Sequence, residues 1–369
     1  MKKAIFTVIL LAALLPGITL FARAADADRL YADSGAGDAF ALLDDETRAL
    51  LEKIGAEAAI PSSAAQISPV GVLTAAAGLL RDGFGGAVKQ FTTLAGLTLL
   101  LALAARFLPQ EDADGLLASL PLFFFAAAEI PIVTELAAGV LGAMETVSAF
   151  VRLLLPVLGV FTASSGAPAS SAVLTAAGVG AAEAVSAAID WFFVPLTGAY
   201  GAICVIGAAD GMFAPDRGAR LLKKVFTTLL GGASVLFSGV LALKGAAAKA
   251  GDSLAFRGAK FLAGGLVPVV GGALSDGMAA VAASLNAVND TVGALGIAAV
   301  ALILLPPILR VLLHRAVLWA ASLAGELTGL PRVGGYLTGI AELLSMLDLL
   351  LLFDGFVFIC ALGFLIGAA

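Results

Sequence analysis

A chain of 369 residues with 60% hydrophobic and 13% charged side chains and a mean hydropathy of +1.05 does not fit a set of water-soluble domains, which carry roughly a quarter charged residues. The composition also excludes disorder, which needs high charge and few apolar residues, and a disulfide scaffold, since Cys204 and Cys360 are the only cysteines and both sit in apolar runs. A net charge of −6 with scattered cations gives no field for nucleic acid.

The N-terminus reads as a targeting unit. Lys2 and Lys3 precede an apolar run interrupted by Pro16 and Gly17, and Ala22-Arg23-Ala24 fits a small-residue cleavage site. Residues 1–24 are therefore expected to be a Sec signal peptide, the other reading being an uncleaved anchor. Residues 25–87 form an extracytoplasmic juxtamembrane segment in this reading. Within it Asp44, Asp45 and Glu46 followed by Arg48, Leu50, Leu51, Lys53 and Ile54 predict a short amphipathic helix with acids in its first turn, where they suit the helix dipole.

Residues 88–369 form a multi-span membrane domain. Among the apolar stretches at 88–108, 116–141, 172–189, 191–209, 225–243, 294–313 and 347–366, the strong candidates amount to six full spans, with three or four shorter or more polar helices between them. Helices are expected because they satisfy their own backbone hydrogen bonds in hydrocarbon. The cluster Arg217, Arg220, Lys223 and Lys224 marks a cytoplasmic loop, reached by one or three crossings between 144 and 210. Lys244, Lys249, Arg257 and Lys260 then fall outside, against that rule, and are read as an interfacial amphipathic helix.

An internal repeat is the most informative pattern. The segment from Pro156 through Gly159 and Ser165 is similar to that from Pro268 through Gly271, Ser275 and Asp276, and proline follows each again at Pro195 and Pro306. The expected fold is all-α, with two parallel pseudo-repeats at about 116–209 and 225–315. Proline removes a backbone donor and glycine permits reversal, so each repeat is expected to contain a broken, re-entrant helix lining a cavity. A helix-turn-helix at the membrane surface is the other reading.

Carboxylates in apolar runs, Glu129, Glu135, Glu183, Asp190, Asp348 and Asp354, offer a proton or cation path, with Glu183, Asp190, Asp348 and Asp354 as buried-acid candidates. The competing reading has them ending helices, pairing with Arg152 or Arg310, or touching neighbouring subunits. His314 reads as an interfacial residue. The sequence carries no Walker A loop, GxGxxG, HExxH or paired CxxC, so no catalytic residue, metal site or cofactor is expected. Glycines four apart, such as Gly325/Gly329 and Gly335/Gly339, allow close helix approach.

The run Arg257-Gly258-Ala259-Lys260-Phe261-Leu262-Ala263-Gly264-Gly265-Leu266-Val267-Pro268-Val269-Val270-Gly271-Gly272-Ala273-Leu274-Ser275-Asp276 resembles the signature region of the stage III sporulation protein AE family, and the similarity extends over about residues 88–369. The resemblance implies a multi-pass subunit of a secretion-like channel complex linking mother cell and forespore, in the mother-cell membrane around the forespore and supporting late forespore gene expression. It implies as partners the other membrane and ring-forming proteins of the same sporulation operon, a secretion-type ATPase and the lipid bilayer, and it carries over no catalytic residues. A stand-alone secondary transporter built from two structural repeats is the alternative.

Overall fold

The computed structural model describes residues 35–56, 67, 69–105, 116–209, 215–266 and 271–367; the expected signal peptide lies outside them. Two short helices come first, α1 (Ala36–Ala41) and α2 (Asp45–Lys53). The second is the helix predicted from the Asp44–Ile54 pattern. Asp44 caps it by accepting from the Thr47 N–H at 2.9 Å, which satisfies one of the donors a helix start leaves open. Six long elements follow: α3 (Pro69–Ala105), α4 (Leu116–Ser164), α5 (Pro168–Ala188) continued by α6 (Val194–Ala209), α7 (Pro215–Leu266), α8 (Gly271–Leu327) and α9 (Pro331–Ile366). Each contains a stretch long and apolar enough to cross a membrane, six in all among the described residues. Helix α3 begins at Pro69, so the linker ends nineteen residues before the expected boundary at Val88.

Contacts fix the helix directions. Glu129 with His314 and Leu154 with Gly296 set α4 antiparallel to α8. Arg315 with Asp348, Leu304 with Gly355 and Ile366 with Gly293 set α9 antiparallel to α8. Ile203 with Gly218, Phe193 with Phe226 and Ala169 with Asp252 do the same for α7 against α5–α6. Helix α8 runs through the centre, with Leu295, Ala299, Val300, Leu304 and Leu318 all buried. Helices α3 and α7 lie outside and expose leucines, valines and phenylalanines, as lipid-facing helices do.

Three sequence expectations need correction. Pro156 does not break its helix: α4 continues through Pro156 and Gly159 to Ser164. One proline forfeits one intrahelical bond, whereas a break strands up to four carbonyls and four N–H groups in an apolar setting, so the continuous helix is favoured. The reversal comes at Ser165–Ala167, where Gly166 adopts φ 111°, a conformation that suits glycine. There the Ala167 N–H bonds to Thr162 O, and Pro168 opens α5.

Secondly, 172–189 and 191–209 are one span. Pro195 cannot donate to the Trp191 carbonyl four residues back, and the helix absorbs the loss as a wide turn at Ile189–Phe193, with the Val194 N–H reaching Ile189 O. One crossing, not three, therefore connects α4 to α7. Thirdly, Lys244 to Lys260 belong to the same continuous helix as the α7 span and form no separate interfacial helix. The basic residues 217–224 likewise lie on the opening turns of α7 rather than in a loop. Of the second repeat, Pro268 lies outside the described residues, which resume at Gly271. Pro156, its counterpart in the first unit, sits inside α4.

Beyond the α7 span, Asp252 caps the start of α5 from another helix. Its two carboxylate oxygens accept from the Ala169 N–H at 2.8 Å and the Ser170 N–H at 2.7 Å. Burial pushes the Asp252 carboxyl up, but hydrogen bonding from Ser170 and Ala169 outweighs it and holds the group below the ordinary value of 3.8. A lowered folded value means this stabilisation is complete above 3.8 and is lost as pH falls through the folded value. Asp252→Ala should lower unfolding stability in detergent at pH 7 by about 1–2 kcal/mol, and the wild-type advantage should vanish in an acid series carried below the folded value. Gly159 gives a second prediction. A Cβ there would meet Thr175 Oγ1 at 2.4 Å, while one at Gly142 meets nothing within 4 Å. Gly159→Leu should cost about 1–3 kcal/mol by overpacking and Gly142→Leu far less, as read by thermal unfolding in the same detergent.

Candidate functional site

Helix α8 carries three basic residues in six positions, and each meets a different element. Arg310, on the exposed side, forms a two-pronged pair with Glu46 of α2 at 2.9 and 2.8 Å, which anchors the N-terminal segment together with the edge-on contact of Phe40 with Phe150. Arg315, about 140° round the helix from Arg310, pairs with Asp348 of α9 and lies 5.3 Å from the Trp319 ring centre. Lys223 of α7 pairs with Glu342 of α9 one helix away.

His314 lies between the two arginines. Its side chain is 5% exposed and that of Glu129 1%. His314 Nε2 stands 2.9 Å from Glu129 Oε2 and Nδ1 stands 2.7 Å from Gln90 Oε1. The Gln90 Nε2–H donates to Glu129 Oε1 at 3.1 Å, so α3, α4 and α8 each supply one corner of a closed polar network. Periodicity explains the aim of the α8 side chains: 310 and 314 are four apart and share a face. This corrects the reading of His314 as an interfacial residue, and it brings forward Glu129 rather than the four acids singled out.

The predicted buried acids divide. Asp348 is buried and paired with Arg315. Asp354 is fully buried, and among the described residues neither of its carboxylate oxygens has a hydrogen-bond partner. Beside it, Gly355 packs on Leu304, and Pro306 and Pro307 of α8 withdraw the N–H groups that would serve the Leu302 and Ile303 carbonyls. Glu183 and Asp190 are exposed, contrary to expectation, and Glu183 pairs with Arg152 at 3.3 Å. The structure does not bring Glu183 and Asp190 together with Asp348 and Asp354.

The first set of helix-break candidates lines a shallow groove between α4 and α5 instead of a re-entrant cavity. Pro156, Gly159, Ser171 and Thr175 border about 500 Å3 of mostly apolar space, and Ser171 Oγ donates to Gly159 O at 2.5 Å. Ser165 turns back to bond Thr162 O through its own hydroxyl. Gly271, Ser275 and Asp276 fall on the first turns of α8.

Six apolar helical spans, five of them packed around the central α8, with Arg315 and His314 of that helix matched by Asp348 and Glu129, define a polytopic α-helical membrane protein. The model of the stage III sporulation protein AE family matches residues 117–369, and the chain belongs to that family. Stage III sporulation protein AE of Bacillus subtilis (strain 168) is 27% identical to it over 170 residues, 46% of this chain and 43% of the relative, so the likeness spans less than half of either. No solved structure matches. The family match opens at the start of α4, so Glu129 and His314 lie inside it and Gln90 outside.

Removing one member of a buried pair leaves an uncompensated charge and costs about 3–5 kcal/mol, whereas replacing both by apolar groups is often neutral. Arg315→Met should therefore destabilise the protein strongly, and Arg315→Met combined with Asp348→Leu should recover most of the loss, measured by chemical or thermal unfolding in detergent. Equal losses in the single and double variants would contradict the pairing.

Proposed function

We propose that the chain is a membrane subunit of a secretion-like channel complex that links mother cell and forespore and is required for late forespore development, lodged in the mother-cell membrane around the forespore. The observation that carries this reading is membership of the stage III sporulation protein AE family across α4 to α9. Two physical features support it. The sequence has no Walker A loop, so directed work needs an energy source from a partner such as a secretion-type ATPase of the same operon. The axis of the described bundle is filled by apolar side chains of α8, so a wide conduit would form between subunits, with ring-forming proteins as its continuation.

The orientation that fits this role keeps residues 217–224 cytoplasmic and places α1 and α2 outside. The alternative, a stand-alone secondary transporter, draws on one observation, the partnerless Asp354. A deletion in an endospore-forming host, with a tagged copy for purification, separates the two. The channel reading expects engulfed forespores that fail to switch on a late forespore reporter, and co-purification of ring proteins and ATPase. Normal reporter activity with the chain purifying alone would favour the transporter and overturn the proposal.

A further inference from the structure

Among the buried polar features unused by this role, which include Asp354 and Asn289, the Gln90–Glu129–His314 network adjoins an opening. A cavity of about 390 Å3 lies between α3 and α4, lined by Lys89, Gln90, Thr93 and Glu129 with Gly86 and Ile132. Lys89 and Thr93 are exposed at its rim, and Gln90 and Glu129 form its inner wall. At about 30 Å3 per molecule of liquid, it has room for on the order of ten waters.

The network permits a proton count. Gln90 Oε1 can only accept, so His314 Nδ1, 2.7 Å away, carries a hydrogen. Gln90 Nε2 donates to Glu129 Oε1 at 3.1 Å and lies 3.4 Å from Oε2 and 3.3 Å from His314 Nε2. The remaining contact, Nε2 to Oε2 at 2.9 Å, is satisfied by one proton, held by the imidazole or by the carboxyl. With none, two acceptors face each other; a second proton fits on Oε1, where it displaces the Gln90 Nε2–H, while Oε2 still accepts from Nε2–H.

We infer that Glu129 and His314 form a proton-binding site of the membrane domain, loaded and unloaded by water in the cavity beside Lys89. In loading, an O–H bond of hydronium in the cavity breaks and water leaves, an O–H bond forms on Glu129 Oε1, and the Gln90 Nε2–H to Oε1 hydrogen bond is lost. Release is the reverse. The charges around the site are few. Helix α3 presents Lys89. Helix α8 adds Arg310 and Arg315, already matched by Glu46 of α2 and Asp348 of α9. Helix α9 brings Tyr336, buried, within electrostatic reach of Glu129 and with a hydroxyl that has no hydrogen-bond partner among the described residues. A proton is thus the charge the site can add or remove without displacing a salt bridge. The site belongs to one chain, so its test is independent of the complex proposed above.

His314 is the one histidine of the chain, and 15N-histidine labelling of the full protein in lipid vesicles yields a single pair of ring-nitrogen signals. On transfer to D2O the ring N–H should exchange within minutes while neighbouring α8 backbone amides stay protected for hours. Thr93→Phe, which fills the cavity mouth, should slow ring exchange by about tenfold or more, and Leu99→Phe, on the exposed face of the same helix, should leave it unchanged. Glu129→Gln should move the Nε2 signal. Ring exchange as slow as the α8 amides, or indifferent to Thr93→Phe, would show a sealed structural pair and overturn the assignment; the wild-type measurement decides even where a variant fails to fold.

Discussion

The bundle is organised by the need to match basic side chains on its most enclosed helix. Arg310, His314 and Arg315 sit on α8, and an unpaired charge in an apolar interior costs several kcal/mol. Each partner comes from a different element: Glu46 from α2, Glu129 from α4 with Gln90 from α3, and Asp348 from α9. The three requirements differ in weight. The Arg310 pair stands in partly exposed surroundings, where such pairs contribute about 1 kcal/mol or less. The His314 and Arg315 pairs are enclosed, and there the geometry constrains which helices can surround α8 and in what register.

Close approach supplies the rest of the cohesion. Helices in lipid gain little from apolar burial alone and associate through packing, which small residues make tight. The antiparallel α8–α9 pair shows this along its length: Gly293 receives Ile366, Gly355 receives Leu304, and near the turn Gly325 and Gly334 bring the two backbones together. Gly329, at φ 84°, ends α8, and the Leu330 N–H returns to Gly325 O before Pro331 starts α9. Only part of the glycine content lies in such seams: Gly142, Gly231, Gly335 and Gly363 are among those that face open space. The Ser322 hydroxyl adds bonds to Gly334 O and to Thr338 across the same seam.

The spans were legible because hydropathy is a local property, and so was the short α2 helix with its acidic start. The fate of Pro156 was not. Whether a proline breaks a helix depends on the cost of the alternative: Pro156 frees only the Arg152 carbonyl four residues back, and α4 runs on through it to Ser164. The pairing of Glu129 with His314 spans 185 positions and leaves no periodic trace; the nearest signal was a lone histidine between two arginines. Glu183 was misplaced for a related reason. Its spacing from Asp190 suggested a common face, but spacing does not say whether that face turns inward.

Helix length bears on how those exposed acids are tolerated. Helices α4, α7 and α8 contain 49, 52 and 57 residues, roughly 75–85 Å at 1.5 Å per residue, against a hydrocarbon core of about 30 Å. More than half of each therefore lies beyond the hydrocarbon. Glu145, Glu183 and Asp190, all exposed on α4, α5 and the turn after it, need no partner in lipid if they occupy that length. The same excess gives the protein a rigid helical extension that water-soluble partners can reach. The role proposed above, in which a partner supplies the energy, would have force enter the membrane through stiff, continuous elements, and α4, unbroken at Pro156, is one of that kind.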